Sequence, residues 1–201
     1  MIPLYDKKKI KDGFPLITTL LIILNTVFFL CTISNLDYFI NLFGFTSNNL
    51  LDGRFFTVFT YMFLHGNIWH LVLNMWFLWV FGDNLESRLG KINFLAFYLL
   101  CGIMGAIVYA LAMSDSNTAI IGASGAISGV LGGYLVLFPK NKIRTFLFVY
   151  VASIPAVIYI FIWFLLQLFS TTVMNTSVAY FSHIGGLVGG MIFVKMLKKK
   201  R

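Results

Sequence analysis

The sequence predicts an all-α, polytopic membrane protein, a bundle of six transmembrane helices whose short fourth helix begins inside the membrane. Three observations carry this prediction. Of 201 residues, 59% are hydrophobic and 11% are charged, whereas about a quarter of the residues in soluble domains are charged. The mean hydropathy is +0.88. The 15 lysines and arginines collect in short clusters between apolar runs, which is a topology signal rather than a nucleic-acid-binding surface.

Six apolar segments account for the predicted helices, because a membrane span needs about 20 mostly apolar residues. The fourth segment has only 15 residues and covers about 22 Å of a hydrocarbon core near 30 Å. One of its ends therefore lies inside the membrane, where irregular backbone must be buried by protein or line a water-filled cavity. In chain order, the segments are 16–34, 60–82, 92–113, 124–138, 145–168 and 178–197.

The basic residues predict how the chain is oriented. All of them except Arg54 fall before span 1, between spans 2 and 3, between spans 4 and 5, or after span 6, which places them on one side. By the positive-inside rule both termini are cytoplasmic. We expect a multi-pass protein of a prokaryotic cell membrane, with one domain over 1–201: a basic N-terminus at 1–13, a six-helix core at 14–197 and a basic tail at 198–201.

All three histidines fall in predicted spans, where ionisable side chains are costly and usually mark function. On span 2, His70 and Asn74 are four residues apart and share a helix face. His65 lies nearer the external end of that span, and His183 lies roughly 8 Å deep in span 6. A structural hydrogen bond is the alternative for any one of them, but their gathering in the external half favours function.

A Gly-Ala-Ser-Gly tetrapeptide at 122–125 opens span 4. If the helix begins near Ser124, the hydroxyl lies beside unpaired N–H groups at the positive end of the helix dipole, where an oxyanion is stabilised. Close packing of small residues is the competing interpretation of so short a motif.

The heights of Ser124 and His183 in the membrane match. Ser124 lies 16 residues before Lys140 and His183 lies 15 before Lys198, so both lie about 22 to 24 Å from the basic edge. Glycines spaced four apart on both spans allow their backbones to approach closely. Packing span 4 on span 6 would bring a nucleophile to a general base. No Asp or Glu lies mid-span near His183, so we expect a Ser–His dyad.

Taken together, these motifs resemble those of the rhomboid intramembrane serine proteases. The residues after span 2, 81–90, also resemble the family's turn at this place. The resemblance covers about 14–197 and rests on three ordered motifs: His65-x4-His70-x3-Asn74, Gly122-Ala123-Ser124-Gly125 and His183-x2-Gly186-x3-Gly190.

The resemblance implies a role for each matching residue. Ser124 attacks a peptide carbonyl, with His183 as general base and then general acid. The oxyanion is stabilised by the Ser124 N–H and by the side chains of His70 and Asn74. Supporting roles fall to His65, Gly122, Gly125, Gly186 and Gly190. The implied substrates are single-pass transmembrane proteins that enter past span 5 within the lipid bilayer. No cofactor, metal or nucleic acid is implied, and the oligomeric state is left undetermined.

The chain departs from the common family pattern in two places. Many members carry an aromatic residue four positions after the nucleophile, which stacks on the catalytic imidazole, whereas this chain has Ser128. Many also carry a Trp-Arg pair in the first external loop, at the positions where this chain has Phe56-Thr57. The partner of His183 and the anchor of this loop therefore stay open.

Three other functions remain as alternatives. A non-catalytic relative would bind transmembrane helices without cleaving them. A transporter or channel would use the histidines and Asn74 to line a path, but it would leave the Ser124 motif idle. A zinc site of three histidines is disfavoured, because residues five apart on a helix, such as His65 and His70, point roughly 140° apart.

Overall fold

A computed structural model describes residues 1–6, 13–113, 117–147, 149–174 and 180–197. Most of this part of the chain is helical. In chain order, the elements are β1 (Ile2–Asp6), α1 (Leu16–Thr32), α2 (Leu36–Phe43), α3 (Asn48–Leu51), α4 (Thr57–Thr60), α5 (Ile68–Leu89), α6 (Lys91–Ala112), α7 (Ser124–Leu137), β2 (Lys142–Leu147), β3 (Tyr150–Pro155), α8 (Ala156–Met174) and α9 (Tyr180–Leu197). Residues 7–12 of the predicted basic N-terminus and the tail at 198–201 lie outside the described residues.

Three helical segments in the described part of the chain are long and apolar enough to cross a bilayer, namely Leu16–Phe43, Lys91–Ala112 and Tyr180–Leu197. Two further apolar helices, Ser124–Leu137 and Ala156–Leu166, are shorter. The mostly helical architecture is therefore confirmed, and so is the short helix of 14 residues that begins at Ser124. Six membrane crossings remain a prediction.

The second long helix begins later than expected. We predict a span over 60–82, but α5 runs over Ile68–Leu89. The side chain of Asn67 accepts a hydrogen bond from the His70 N–H (2.9 Å) and caps the first turn. The prediction that all three histidines lie in spans is thus wrong for His65, which lies in the loop before α5.

The all-α prediction is wrong where a three-stranded antiparallel sheet forms, in the order β1-β2-β3. The hairpin β2–β3 replaces the first part of the span predicted at 145–168. In β2 alternate side chains, Ile143 and Thr145, are buried, which is the period of a strand. Average hydropathy does not distinguish such a run from a buried helix. Strand β1 also joins Ile2–Asp6 to the packed fold, although we predict a basic terminal segment there.

Helix α7 lies at the centre of the bundle and is buried continuously from Gly125 to Tyr134. Helix α9 packs directly against its backbone. A Cβ atom on Gly186 would overlap the carbonyl oxygen of Gly125, and one on Gly190 would overlap that of Gly129. Close approach of these two helices therefore requires glycine at both positions of α9.

A buried carboxylate holds the start of α1 against α5. Glu86 Oε1 accepts a hydrogen bond from the Ile17 N–H (2.9 Å), and Oε2 accepts from the Thr18 N–H and hydroxyl (2.8 Å each). A negative charge at a helix N-terminus is stabilised by unpaired N–H groups and by the helix dipole. Glu86 lies near the C-terminal end of α5, so the turn expected over 81–90 is instead helical up to Leu89. The Glu86 side chain thereby orients α1 relative to α5.

Candidate active site

Ser124 and His183 face each other across the contact between α7 and α9. Ser124 Oγ lies 2.7 Å from His183 Nε2, within hydrogen-bonding distance. Ser124 is the first residue of α7, and His183 lies in the first turn of α9. The matching heights expected from the sequence therefore correspond to a direct contact, and the glycine packing of the two helices permits it.

The Ser124–His183 pair borders a cavity of about 360 Å³. Helices α5, α7, α8 and α9 all contribute to its wall. Besides the pair, its lining residues are Met1, His70, Leu73, Asn74, Phe77, Ile121, Ile127 and Trp163. Both side chains of α5 that the sequence analysis assigns to the oxyanion, His70 and Asn74, therefore line the same cavity as Ser124.

His70 is held by the backbone of the preceding loop. Its Nδ1 accepts a long hydrogen bond from the Gly66 N–H (3.4 Å). An imidazole that accepts at Nδ1 carries its proton on Nε2 in the neutral form. Nε2 is then a hydrogen-bond donor, which is what stabilisation of an oxyanion requires.

Gly122 leaves room for the His70 ring and adopts a backbone conformation that favours glycine. Its φ of 115° lies in a region that other residues rarely adopt. A Cβ atom here would lie 2.6 Å from His70 Nε2. The Gly122 N–H also donates to the Tyr61 carbonyl (2.9 Å), which fixes the loop before α7.

Asn74 lines the same cavity one turn after His70. Its Nδ2 donates to the His70 carbonyl (2.9 Å), so the amide is oriented by its own helix. An Asn amide carries two N–H donors, which leaves a second one for a ligand in the cavity.

His65 is fully buried outside the helix and packs its ring against that of His70. The ring centroids are 5.1 Å apart and the planes meet at 67°, an edge-to-face contact. This contact restrains the position of His70, which agrees with a supporting place for His65 in the loop.

Arg54 anchors the loop that lacks the Trp-Arg pair. Its guanidinium donates to the carbonyls of Asn41 (2.7 Å) and Leu42 (2.6 Å) at the end of α2. It also lies over the ring of Phe56, 5.8 Å from the centroid. Arg54, three residues before Thr57, therefore ties the loop to α2.

Trp163 of α8 is the aromatic neighbour of His183. The two ring centroids are 6.4 Å apart, with the planes inclined by 38°. Ser128 does not take this place, because its buried Oγ has no hydrogen-bond partner among the described residues. His183 Nδ1 likewise has none in that part of the chain, and the Trp163 ring lies beside the imidazole.

Sequence reasoning missed Trp163, Met1 and Tyr61 as neighbours of the site. Tyr61 is buried, donates to the Gly102 carbonyl (2.8 Å) and lies beside Gly125. An aromatic residue in an apolar segment carries no signal that distinguishes a site neighbour from an ordinary core residue. Across the described ranges, no group of three or more His, Cys, Asp or Glu is arranged to hold a metal ion.

The chain is similar to known proteins over most of its length. A model of the rhomboid domain matches residues 52–200. The chain is 33% identical over 140 residues to rhomboid protein 1, mitochondrial, of Saccharomyces cerevisiae, covering 65% of this chain and 38% of that protein. It is 36% identical over 149 residues to the rhomboid protease GluP of Bacillus subtilis, covering 74% and 27%.

A third relative is matched over more of its own length. YdcA of Bacillus subtilis is 32% identical over 155 residues, which are 75% of this chain and 72% of YdcA. By contrast, the chain spans about two fifths or less of the yeast protein and of GluP. Because the domain model covers well over half of the chain, the protein is a member of the rhomboid family and is embedded in a membrane.

Proposed function

We propose that the protein is an intramembrane serine endopeptidase that hydrolyses peptide bonds in or near transmembrane segments through a Ser124–His183 dyad. The observation that carries the proposal is the 2.7 Å contact between Ser124 Oγ and His183 Nε2 at the border of a cavity. Relatives named as proteases, such as GluP, support it.

The chemistry follows from this contact. His183 Nε2 accepts the hydroxyl proton as Ser124 Oγ attacks the substrate carbonyl. The same nitrogen then returns the proton to the leaving amine, and the C–N bond breaks. His183 then takes a proton from a water molecule whose oxygen attacks the acyl carbon. The bond from that carbon to Ser124 Oγ breaks, His183 returns the proton to Oγ, and the second product leaves. In place of a third acidic residue, Trp163 restrains the ring.

Three donors stabilise the oxyanion of each tetrahedral intermediate. They are the Ser124 N–H in the first turn of α7, the Nε2–H of His70 and the side-chain amide of Asn74. The helix N-terminus contributes because its first N–H groups have no partner within the helix. Gly122 keeps space for His70, and Gly125, Gly186 and Gly190 keep α7 close to α9.

The substrates are single-pass membrane proteins, and no cofactor or metal takes part. A transmembrane helix hides its amides in hydrogen bonds four residues apart, so it must unwind locally before Ser124 reaches a carbonyl. From the positive-inside rule we infer that the basic clusters at both ends of the six-helix core face the cytoplasm, and we propose a prokaryotic cell membrane as the location.

A fluorophosphonate probe tests the dyad directly. We expect it to label the purified, detergent-solubilised protein at Ser124, as read by mass spectrometry of the labelled peptide. Ser128→Ala is the matched control and should label equally, because the Oγ of Ser128 is buried within α7. Absence of label at Ser124 would contradict the assignment of Ser124 as the nucleophile and would favour a non-catalytic relative that binds transmembrane helices. If the protein is not labelled but carries solute across proteoliposome membranes, a transporter would be favoured.

Asn74→Ala is expected to lower kcat for a transmembrane reporter by about 100- to 1000-fold, the usual cost of removing one oxyanion donor. KM should change little, because the donor acts on charge that develops in the transition state. Steady-state cleavage in detergent measures both constants. If kcat stays within twofold of the wild-type value and Ser124 still labels, Asn74 does not stabilise the oxyanion.

Trp163→Ala is expected to lower kcat about 3- to 10-fold, because an aromatic contact contributes about 0.5–1.5 kcal/mol. Trp163→Phe keeps a ring beside His183 and should retain most of the activity. Cleavage assays of the two variants over a pH range measure the effect. Equal loss in both variants would show that the indole itself, and not ring packing, is needed.

A further inference from the structure

Residues 1–6 run from the cavity into the β-sheet. Met1 lines the cavity together with Ser124 and His183. From there, Ile2–Asp6 pairs antiparallel with β2, with Ile2 opposite Phe146 and Asp6 opposite Ile143. The chain's own residues therefore lead as an extended strand from the catalytic pair to the far end of the sheet.

The length of β1 matches the distance along α7 from Ser124 to Tyr134. From Met1 to Asp6 an extended strand covers about 17 Å. From Ser124 to Tyr134 helix α7 covers about 15 Å, and the hydroxyl of Tyr134 donates to Asp6 Oδ2. Two points therefore relate β1 to α7: Met1 lines the cavity with Ser124, and Asp6 accepts from Tyr134.

Polar contacts hold β1 at both ends. The indole of Trp76 in α5 donates to the Pro3 carbonyl (2.5 Å). The buried carboxylate of Asp6 accepts from the side-chain amides of Asn84 (2.5 Å) and Asn141 (2.9 Å). Helix α5, helix α7 and the loop before β2 all contribute donors, so the position is built to receive an extended chain with an acceptor side chain at its end.

We propose that the edge of β2 facing β1 is a binding site for an unwound, extended segment of the membrane-protein substrate, and that Ile2–Asp6 occupies this site at rest. The inference rests on the proposed endopeptidase function and concerns how the same site receives its substrate.

The chemistry of an unwound segment favours this site. A chain that leaves its helical conformation within an apolar environment exposes N–H and C=O groups, and each unsatisfied group costs several kcal/mol. The edge of β2 offers a matching row of backbone groups once β1 leaves. A segment paired there would be extended, as nucleophilic attack requires, and would continue into the cavity where Met1 now lies.

Competition between β1 and substrate can be tested by locking the strand. Ile2 and Phe146 are paired, and both side chains point outward. Antiparallel partners are close enough for a disulfide, so Ile2→Cys with Phe146→Cys should cross-link under copper phenanthroline. The exposed Cys31 is replaced by Ser, whereas Cys101 is buried and stays. We expect oxidation to lower cleavage of a transmembrane reporter at least about tenfold, because the competent population is removed, and reduction to restore it.

A lock within the hairpin is the matched control. Phe146 and Val151 are partners on β2 and β3 and also point outward, so Phe146→Cys with Val151→Cys shares one cysteine and leaves β1 free. For each variant, the cleavage rate of the oxidised enzyme is divided by that of the reduced enzyme. We expect this ratio to be near one for the control. An oxidised β1-locked enzyme that cleaves as fast as its reduced form overturns the inference and makes β1 a purely structural strand.

Loosening the strand should act in the opposite direction. Trp76→Phe removes the hydrogen bond to Pro3, which is expected to raise the cleavage rate about fivefold; an unchanged or lower rate counts against displacement of β1. Fluorophosphonate labelling separates the two proposals. If the reduced enzymes neither label at Ser124 nor cleave the reporter, both the proposed function and this inference are refuted. If they label and cleave, but oxidation of the β1-locked enzyme does not lower cleavage, only the inference is refuted.

Discussion

Ser124→Ala is expected to abolish cleavage of a tagged transmembrane reporter, with a loss on the order of 10⁶-fold, as for other serine nucleophiles. Removing the hydroxyl leaves no atom that can form the acyl-enzyme, whereas the oxyanion donors remain. Product formation in proteoliposomes, followed by gel or mass spectrometry, measures the loss.

The control is Ser128→Ala, one turn later on the same buried helix. Its hydroxyl has no hydrogen-bond partner in the described chain, and removing an unpaired buried polar group is neutral or stabilising. We therefore expect wild-type cleavage from it and equal thermal stability for both variants. Unchanged product from Ser124→Ala would exclude the dyad.

Gly186→Ala is expected to lower both stability and activity. The new Cβ would overlap the carbonyl oxygen of Gly125, which is helix backbone and cannot move aside alone. Overpacking of this kind costs about 1–3 kcal/mol. Because Ser124 opens α7 and His183 lies on α9, separating the helices by about 1 Å should reduce kcat about 100-fold. Thermal unfolding and reporter cleavage measure the two effects.

Gly189→Ala is the matched control on the same helix. A Cβ there lies 3.0 to 3.3 Å from side-chain atoms of Met104 and Phe193 and meets no backbone atom at that distance, so small side-chain shifts relieve the contact. We expect a small change in melting temperature and near-normal cleavage. If both alanine variants behave alike, close approach of α9 to Gly125 is not what holds Ser124 near His183.

The helical elements were predictable because hydropathy measures what membrane burial requires. The expected spans at 92–113, 124–138 and 178–197 correspond closely to α6, α7 and α9. The hairpin at β2–β3 was not predictable in this way. Its apolar run has the same average hydropathy as a helix, and its strand conformation depends on pairing with Ile2–Asp6, far away in the chain.

The candidate site divides along a similar line. Ser124 and His183 could be nominated because a polar side chain in an apolar segment is costly and therefore stands out. Trp163 could not, because a tryptophan among other apolar residues carries no such cost. The anchoring of the loop by Arg54 could not be predicted either. Arg54 donates to backbone carbonyls of α2, and a pattern of side chains in the sequence does not reveal such partners.

By itself, the sequence determined most of the long helices and which residues carry unusual chemistry, because both are recorded in local composition and spacing. Only the tertiary structure decided that Ser124 Oγ meets His183 Nε2, that Trp163 packs on the imidazole, and that Ile2–Asp6 completes a sheet leading to the cavity. These are contacts between distant parts of the chain. Glycine spacing indicates that a helix can pack closely, but neither the partner of a helix nor the register of a strand has a signature in any single segment.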